Sequence, residues 1–127
     1  MNIKVNELRI GNLVTESLGE ILRIVSLSID NNIQNICARG KNAAIWGMSG
    51  LNPIPLTTEI LEKCGFKFDK NRPYDMNNYG VDMDEKNLHF YYDSITLNFN
   101  GFGNVQYVHQ LQNLYFALTG EELTINP

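Results

Sequence analysis

The segment from Tyr107 to Leu123, YVHQLQNLYFALTGEEL, is the longest strongly patterned stretch of the chain, and it limits the folds that the chain can adopt. No proline or glycine interrupts it before Gly120, where a left-handed backbone costs glycine little and a helix can end. At about 100° per residue, one side of such a helix carries Val108, Leu111, Leu114, Tyr115 and Leu118. We therefore predict a helix over residues 108–119 whose apolar side covers a sheet.

Length and composition favour one globular domain. A chain of 127 residues lies in the usual range of roughly 100–200 residues for a domain. We predict a single domain over residues 1–127, with subdomains 1–56 and 57–127 as an alternative division. No run approaches the ~20 apolar residues of a membrane span. The first residues, MNIKVNELRI, lack the pattern of a signal peptide, so we expect a cytoplasmic protein that does not bind membranes.

The cysteines and charges exclude some classes of function. Cys37 and Cys64 have no nearby histidine and no C-x-x-C spacing, so we expect buried, reduced thiols and no zinc site. Residues 1–72 hold nine basic and seven acidic side chains, and residues 73–127 hold one and seven, which gives the halves net charges of +2 and −6. Because nucleic-acid binders cluster lysine and arginine, this distribution disfavours nucleic-acid binding, above all by the C-terminal half.

Residues 7–55 alternate short apolar runs with turn residues, which predicts strands in a small, SH3-like barrel or a strongly bent sheet. Within EILRIVSLSID, period two predicts a buried face formed by Val25, Leu27 and Ile29. Trp46 can plug the end of the barrel, or its indole can stack on a ligand.

A short helix follows in LNPIPLTTEILEKCGF. Pro53 and Pro55 favour extended backbone, so the helix can begin only after them. Thr57 is placed to cap it, and Gly65 is placed to end it. We predict a helix from about Thr58 to Cys64.

The remaining segment predicts a meander. FKFD is a candidate strand, and the polar stretch that follows it contains at most one short strand near residues 79–81. Apolar and polar residues alternate in the next segments, which predicts three antiparallel strands at LHFYYD, ITLNF and VQYV. Asp82, Asp84 and Glu85 lack the other ligands of a calcium loop, so we interpret them as a solvated turn. The predicted fold is α+β: a strand-rich, barrel-like N-terminal half, a short connecting helix, and an antiparallel meander covered by a C-terminal helix.

Three segments resemble a family of small proteins found in Bacteroidetes genomes and their phages or mobile elements. They are ELRIGNLV at residues 7–14, NPIPLTTEILEKCGF at residues 52–66, and YVHQLQNLYFALTGEEL at residues 107–123. Cys64 stands where the family pattern implies a larger aromatic residue or leucine. The resemblance implies an origin in a phage or mobile element and a complete domain, but it brings no activity, cofactor or site residue with it.

Catalytic motifs are missing from the sequence: there is no phosphate loop, no G-x-S-x-G and no H-E-x-x-H. We therefore predict no enzymatic activity and no cofactor. The alternative is a small-ligand binder or enzyme whose pocket lies near His89, His109 and Tyr91, with Asp93 or Asp75 completing an acid/base pair. In the simpler interpretation, His89 faces solvent and His109 closes the corner between strand and helix.

A row of amides beside an aromatic ring suggests recognition. Amides both donate and accept hydrogen bonds, and an exposed phenylalanine can anchor a partner. The candidate interaction surface consists of Gln106, His109, Gln110, Asn113, Phe116 and Trp46. We predict a protein partner or homo-oligomer at this surface. The alternative is that the N-terminal half packs here and satisfies the amides internally. A third hypothesis is nucleic-acid binding by the N-terminal barrel.

Overall fold

The computed structural model describes residues 7–16, 19–30, 33–41, 44–46, 50–69, 79–83, 88–92, 97–99 and 102–125. Two antiparallel sheets and two helices occur in these ranges, which confirms the α+β class. The chain divides into two compact units, one formed by Met1–Ile54 with Tyr107–Asn113 and the other by Pro55–Gln106 with Leu114–Pro127. We refer to them as unit 1 and unit 2. That residues 1–127 form a single domain remains a prediction.

Unit 1 contains a four-stranded antiparallel sheet in the order β1-β2-β3-β4. Its strands are β1 (Leu13–Thr15), β2 (Ile21–Asp30), β3 (Ile33–Arg39) and β4 (Ala44–Trp46). The inner face packs a core around Val14, Leu22, Ile24, Ile36 and Ala38, to which Leu8 and Leu51 add. The strand-rich character of this half is thus confirmed, and its closure into a barrel remains a prediction.

The buried face of β2 differs from the predicted one because the strand contains a β-bulge. Ile24 pairs with Ala38 and Ser26 pairs with Cys37, so Val25 is the extra residue between them. A bulge reverses which alternate residues face the core. Leu22 and Ile24 are buried before it, and Leu27 packs against the core after it. Val25 is exposed, so the prediction that it belongs to the buried face was wrong.

Helix α1 (Thr58–Lys63) begins and ends as its flanking residues predict. The Thr57 side-chain oxygen accepts a hydrogen bond of 3.2 Å from the Ile60 amide, which caps the first turn. At the other end, the amides of Gly65 and Phe66 donate to the carbonyls of Glu62 and Leu61, both at 3.0 Å. With Gly65 at a φ of 92°, this is a Schellman motif. Six residues form a marginal helix, which the burial of Leu61 helps to hold.

Unit 2 contains a five-stranded antiparallel meander in the order β5-β6-β7-β8-β9. The strands are β5 (Lys67–Asp69), β6 (Tyr79–Met83), β7 (Leu88–Tyr92), β8 (Leu97–Phe99) and β9 (Phe102–Val105). The antiparallel meander is confirmed, although its last strand lies at Phe102–Val105 and not at the predicted VQYV. Phe66 and Phe90 pack edge to face in its core, with ring centroids 5.5 Å apart.

Helix α2 (Val108–Thr119) has the predicted bounds. Its buried residues are Val108, His109, Leu111, Gln112 and Tyr115. At about 100° per residue their arc is centred near Gln112. Leu118 lies outside the arc and is 42% exposed, so the prediction that it shares the covered side was wrong. Because the side chain of Gln112 is polar, the sequence pattern did not place this residue at the centre of the buried side.

Both cysteines are free and buried, as predicted. Burial raises the pKa of the Cys64 thiol to about 12, because the thiolate would lose its solvation. This thiol is therefore neutral at physiological pH and acts as a small apolar group.

Candidate functional site

The N-terminal half of α2 holds the segment 7–13 through side-chain amides. Gln112 is buried, and its Oε1 accepts a hydrogen bond of 2.8 Å from the Leu13 amide. Its Nε2 donates to the Gly11 carbonyl at 3.2 Å. One side chain thus serves a backbone donor and a backbone acceptor about a hundred positions away in sequence.

Asn113 completes this arrangement. Its Oδ1 accepts from Arg9 Nε at 2.8 Å and from Asn12 Nδ2 at 2.9 Å, and its Nδ2 donates to the Glu7 carbonyl at 2.8 Å. The Asn12 side chain, itself buried, accepts from the Arg9 amide at 2.7 Å. We call Arg9, Asn12, Gln112 and Asn113 the amide network. Because the Asn113 amide is occupied within unit 1, its role is to hold the N-terminal segment.

His109 is buried beside this network. Its side chain is 1% exposed, and neither ring nitrogen has a hydrogen-bond partner. Glu7 Oε2 lies 3.5 Å from Nε2, too far for a good hydrogen bond, and the Tyr107 ring stacks on the imidazole with centroids 6.0 Å apart. Burial lowers the pKa of His109, and the nearby Glu7 carboxylate only partly opposes this shift. The imidazole is therefore neutral at physiological pH.

The structure separates the residues of the candidate interaction surface. His109 is buried, so its side chain is not available to a partner. Gln110 is half-buried and accepts a hydrogen bond from the Tyr107 amide at 3.2 Å through its Oε1. Gln106 and Phe116 are exposed. Trp46 lies on β4 opposite Cys37, and its side chain is outside the described part. The alternative interpretation, in which the N-terminal half satisfies the amides internally, holds for Asn113.

Unit 1 also has an exposed apolar face that the sequence pattern did not predict. Ile21, Arg23 and Val25 alternate with the buried Leu22 and Ile24 and point outward from β2; Ile21 and Val25 are 56% and 41% exposed. Arg23 Nη1 donates to the Gly11 carbonyl at 3.1 Å, and Ile10, the residue before Gly11, is 60% exposed. Arg39 of β3 stands directly opposite Arg23. We call Ile10, Ile21, Arg23, Val25 and Arg39 the arginine face.

A second exposed surface lies at the C-terminal end of α2, in unit 2. Phe116 and Leu118 are 40% and 42% exposed, and both glutamates that follow Gly120 are exposed. We call Phe116, Leu118, Glu121 and Glu122 the glutamate end. It combines apolar side chains with negative charge, whereas the arginine face combines them with positive charge.

The histidines lie in different units, His109 on α2 in unit 1 and His89 on β7 in unit 2. His89 stands opposite Asp82 and Tyr91 stands opposite Gly80, while Asp75 and Asp93 lie outside the described residues. The pocket near these residues remains a prediction. Asp84 and Glu85 also lie outside the described ranges. No cluster of three metal-ligating side chains occurs among the residues that the structure describes.

Neither α1 nor α2, the two helices of the described ranges, is long and apolar enough to span a bilayer. No protein-family model, curated protein or solved structure matches this chain.

Proposed function

We propose that this chain is a non-enzymatic interaction protein that acts in the cytoplasm and binds a partner protein through the arginine face. The observation that carries this proposal is the exposure of three aliphatic side chains, Ile10, Ile21 and Val25, around a pair of arginines. Exposed apolar side chains grouped with arginine are typical of protein interaction sites. The three segments resembling Bacteroidetes phage and mobile-element proteins support an origin in such an element.

The apolar part of the face would supply a modest affinity. Burying a fully exposed side chain of this size contributes about 1.5–3 kcal/mol, so three half-exposed side chains contribute roughly 1 kcal/mol each. That total suits a reversible contact. Arginine is also enriched at the centres of interfaces, because its guanidinium binds carboxylates with two parallel hydrogen bonds.

We further propose that unit 1 has the form of a small SH3-like barrel. Thr15 of β1 exchanges two backbone hydrogen bonds, of 2.9 and 2.8 Å, with Asn52. Since Asn52 follows β4 in the chain, this bridge brings the strand-rich segment back to its first strand. It therefore supports closure of the sheet.

The experiment is affinity capture with the immobilised chain. The bait is offered a Bacteroidetes lysate. We expect a retained protein to be lost when the bait carries Ile21→Ser and Val25→Ser, and to remain with the Phe116→Ala bait as the matched control. Both changes lie at exposed positions, so the fold is retained. Equal recovery of every retained protein by all three baits would overturn the proposal.

A further inference from the structure

Two arginines on neighbouring strands of unit 1 stand in a position where each repels the other. Arg23 of β2 and Arg39 of β3 are directly opposite in the antiparallel register, and both are exposed. Side chains so placed have Cβ atoms about 4.5–5.5 Å apart, and like charges there are destabilising. Among the residues that the structure describes, no carboxylate lies within ion-pair distance of either guanidinium. Such a local conflict is expected where a protein binds a ligand, because the repulsion disappears when an anion arrives.

The Arg23 guanidinium is oriented by the fold and still has donors to offer. Its Nη1 donates to the Gly11 carbonyl at 3.1 Å, which uses one of the five N–H donors of the group. Arg39 supplies a second set of donors from the next strand, and the exposed Lys41 follows two residues later. Residues 21–41 carry three basic side chains and one acidic one, whereas the whole chain has a net charge of −4. Positive charge is therefore concentrated in this segment of an acidic chain.

Aliphatic side chains stand on both sides of Arg23 along β2. Ile21 and Val25 are 56% and 41% exposed. Residues two apart on a strand are separated by roughly 7 Å. A partner that neutralises the arginines therefore meets methyl groups at about that distance, so it needs apolar atoms beside its anionic ones.

We propose that the occupant of the arginine face is an acidic segment of the partner protein, in which two carboxylates are flanked by aliphatic side chains. This inference rests on the proposed function and adds the chemistry of the partner. Carboxylates match guanidinium groups with two parallel hydrogen bonds, and they place negative charge beside both Arg23 and Arg39. The aliphatic side chains of the segment pack on Ile21 and Val25. Charge complementarity thus selects the partner.

Nucleic acid fits this face less well. None of the five residues of the arginine face is aromatic, whereas proteins that bind single strands stack bases on aromatic rings. Two or three cations neutralise few phosphates, and a chain with a net charge of −4 repels a polyanion. A protein segment with both carboxylates and methyl groups uses the whole face.

The test is a titration of the isotope-labelled full chain with short synthetic peptides, followed by NMR. One peptide carries two glutamates between valine and isoleucine residues, and the matched peptide carries glutamines in their place. We expect the acidic peptide to shift the amide signals of Ile21–Val25 and Arg39 with a Kd of about 1–10 mM. The glutamine peptide should bind at least about threefold more weakly. Binding of the acidic peptide should weaken as sodium chloride rises from about 0.05 to about 0.5 M.

Arg39→Glu separates binding from folding. It places opposite charges across the two strands, so the urea midpoint of the variant should stay or rise, while the acidic peptide should bind at least about fivefold more weakly. Lys63→Glu makes the same change of charge at an exposed position of α1 and is the matched control, with a Kd within about twofold of the unaltered chain. If Arg39→Glu does not fold, Arg39→Gln replaces it and should weaken binding at least about twofold.

No binding of the acidic peptide, equal binding of the glutamine peptide, or undiminished binding by Arg39→Glu would overturn this inference. So would displacement of the peptide by inorganic phosphate beyond that by chloride at equal ionic strength, or salt-sensitive retention on single-stranded DNA that depends on the arginines. If a lysate protein depends on Ile21 and Val25 but is still retained by an Arg39→Glu bait, the proposed function stands and the acidic partner fails. If the acidic peptide binds as expected and no lysate protein depends on those two residues, the proposed function fails and the preference of the face for carboxylates stands.

Discussion

Replacing Gln112 with methionine tests whether the amide network holds the N-terminal segment. Methionine has a similar length and volume, so Gln112→Met removes hydrogen bonds without opening a cavity. The Gly11 carbonyl keeps its bond from Arg23, and Asn12 Nδ2 keeps Asn113. The Leu13 amide loses its 2.8 Å acceptor. An unsatisfied N–H costs about 1–3 kcal/mol when fully buried, and Leu13 is half-buried, so we expect the free energy of unfolding to fall by about 1–2 kcal/mol.

Urea unfolding followed by Trp46 fluorescence measures this loss. Trp46 is the single tryptophan and lies on β4, so its emission reports on unit 1. Glu62→Met introduces the same side chain at an exposed position of α1 and should change the free energy of unfolding by less than about 0.5 kcal/mol. Amide exchange should quicken at Leu13 in Gln112→Met. Unchanged stability together with a still-protected Leu13 amide would refute the role assigned to Gln112.

Three further changes test local features. Burial lowers the pKa of His109 in the folded state, so the unfolded chain binds a proton at this side chain more readily. Stability should therefore be full above pH 6.5 and fall as the pH drops through 6.5. Urea midpoints should lose this dependence in His109→Leu, and an unaltered pH profile would contradict the prediction. Gly40→Ala places a Cβ atom 2.6 Å from Leu22 Cδ2 and should cost about 1–3 kcal/mol in urea unfolding; an unchanged midpoint would show that the strands adjust freely. Thr57→Ala removes the cap of α1 and should lower stability by about 1 kcal/mol in thermal melting. The control Thr58→Ala should lower stability by less than about 0.5 kcal/mol, and equal losses of stability in the two variants would exclude a capping role.

Local chemistry made the helices predictable from sequence. Proline before Thr57, the hydroxyl of Thr57 and the glycine at position 65 each act within a few residues, so the bounds of α1 follow from the sequence to within one residue. The uninterrupted run before Gly120 gives α2 its bounds in the same way. These signals need no knowledge of the rest of the chain.

The features that the sequence did not reveal depend on distant partners. The bulge at Val25 exists only in the pairing of β2 with β3, and period-two alternation alone does not locate it. Gln112 was overlooked because an amide was not expected on a buried face. Its angle of about 40° from Val108 on the helical wheel was the available signal. The arginine face likewise appears only when Arg23 and Arg39 are brought side by side by the register.

Unit 1 is formed by two separate segments of the chain, and this sets the order in which it can fold during synthesis. Its strands lie in Met1–Ile54, yet its final piece, Tyr107–Asn113, is translated 53 residues later. At about 5–20 residues per second, the sheet waits roughly 3–10 seconds for that piece. Throughout this interval the backbone groups of Gly11 and Leu13 have only water where Gln112 will bind. A nascent chain stalled before residue 107 should therefore expose a half-finished surface to chaperones and proteases on the ribosome.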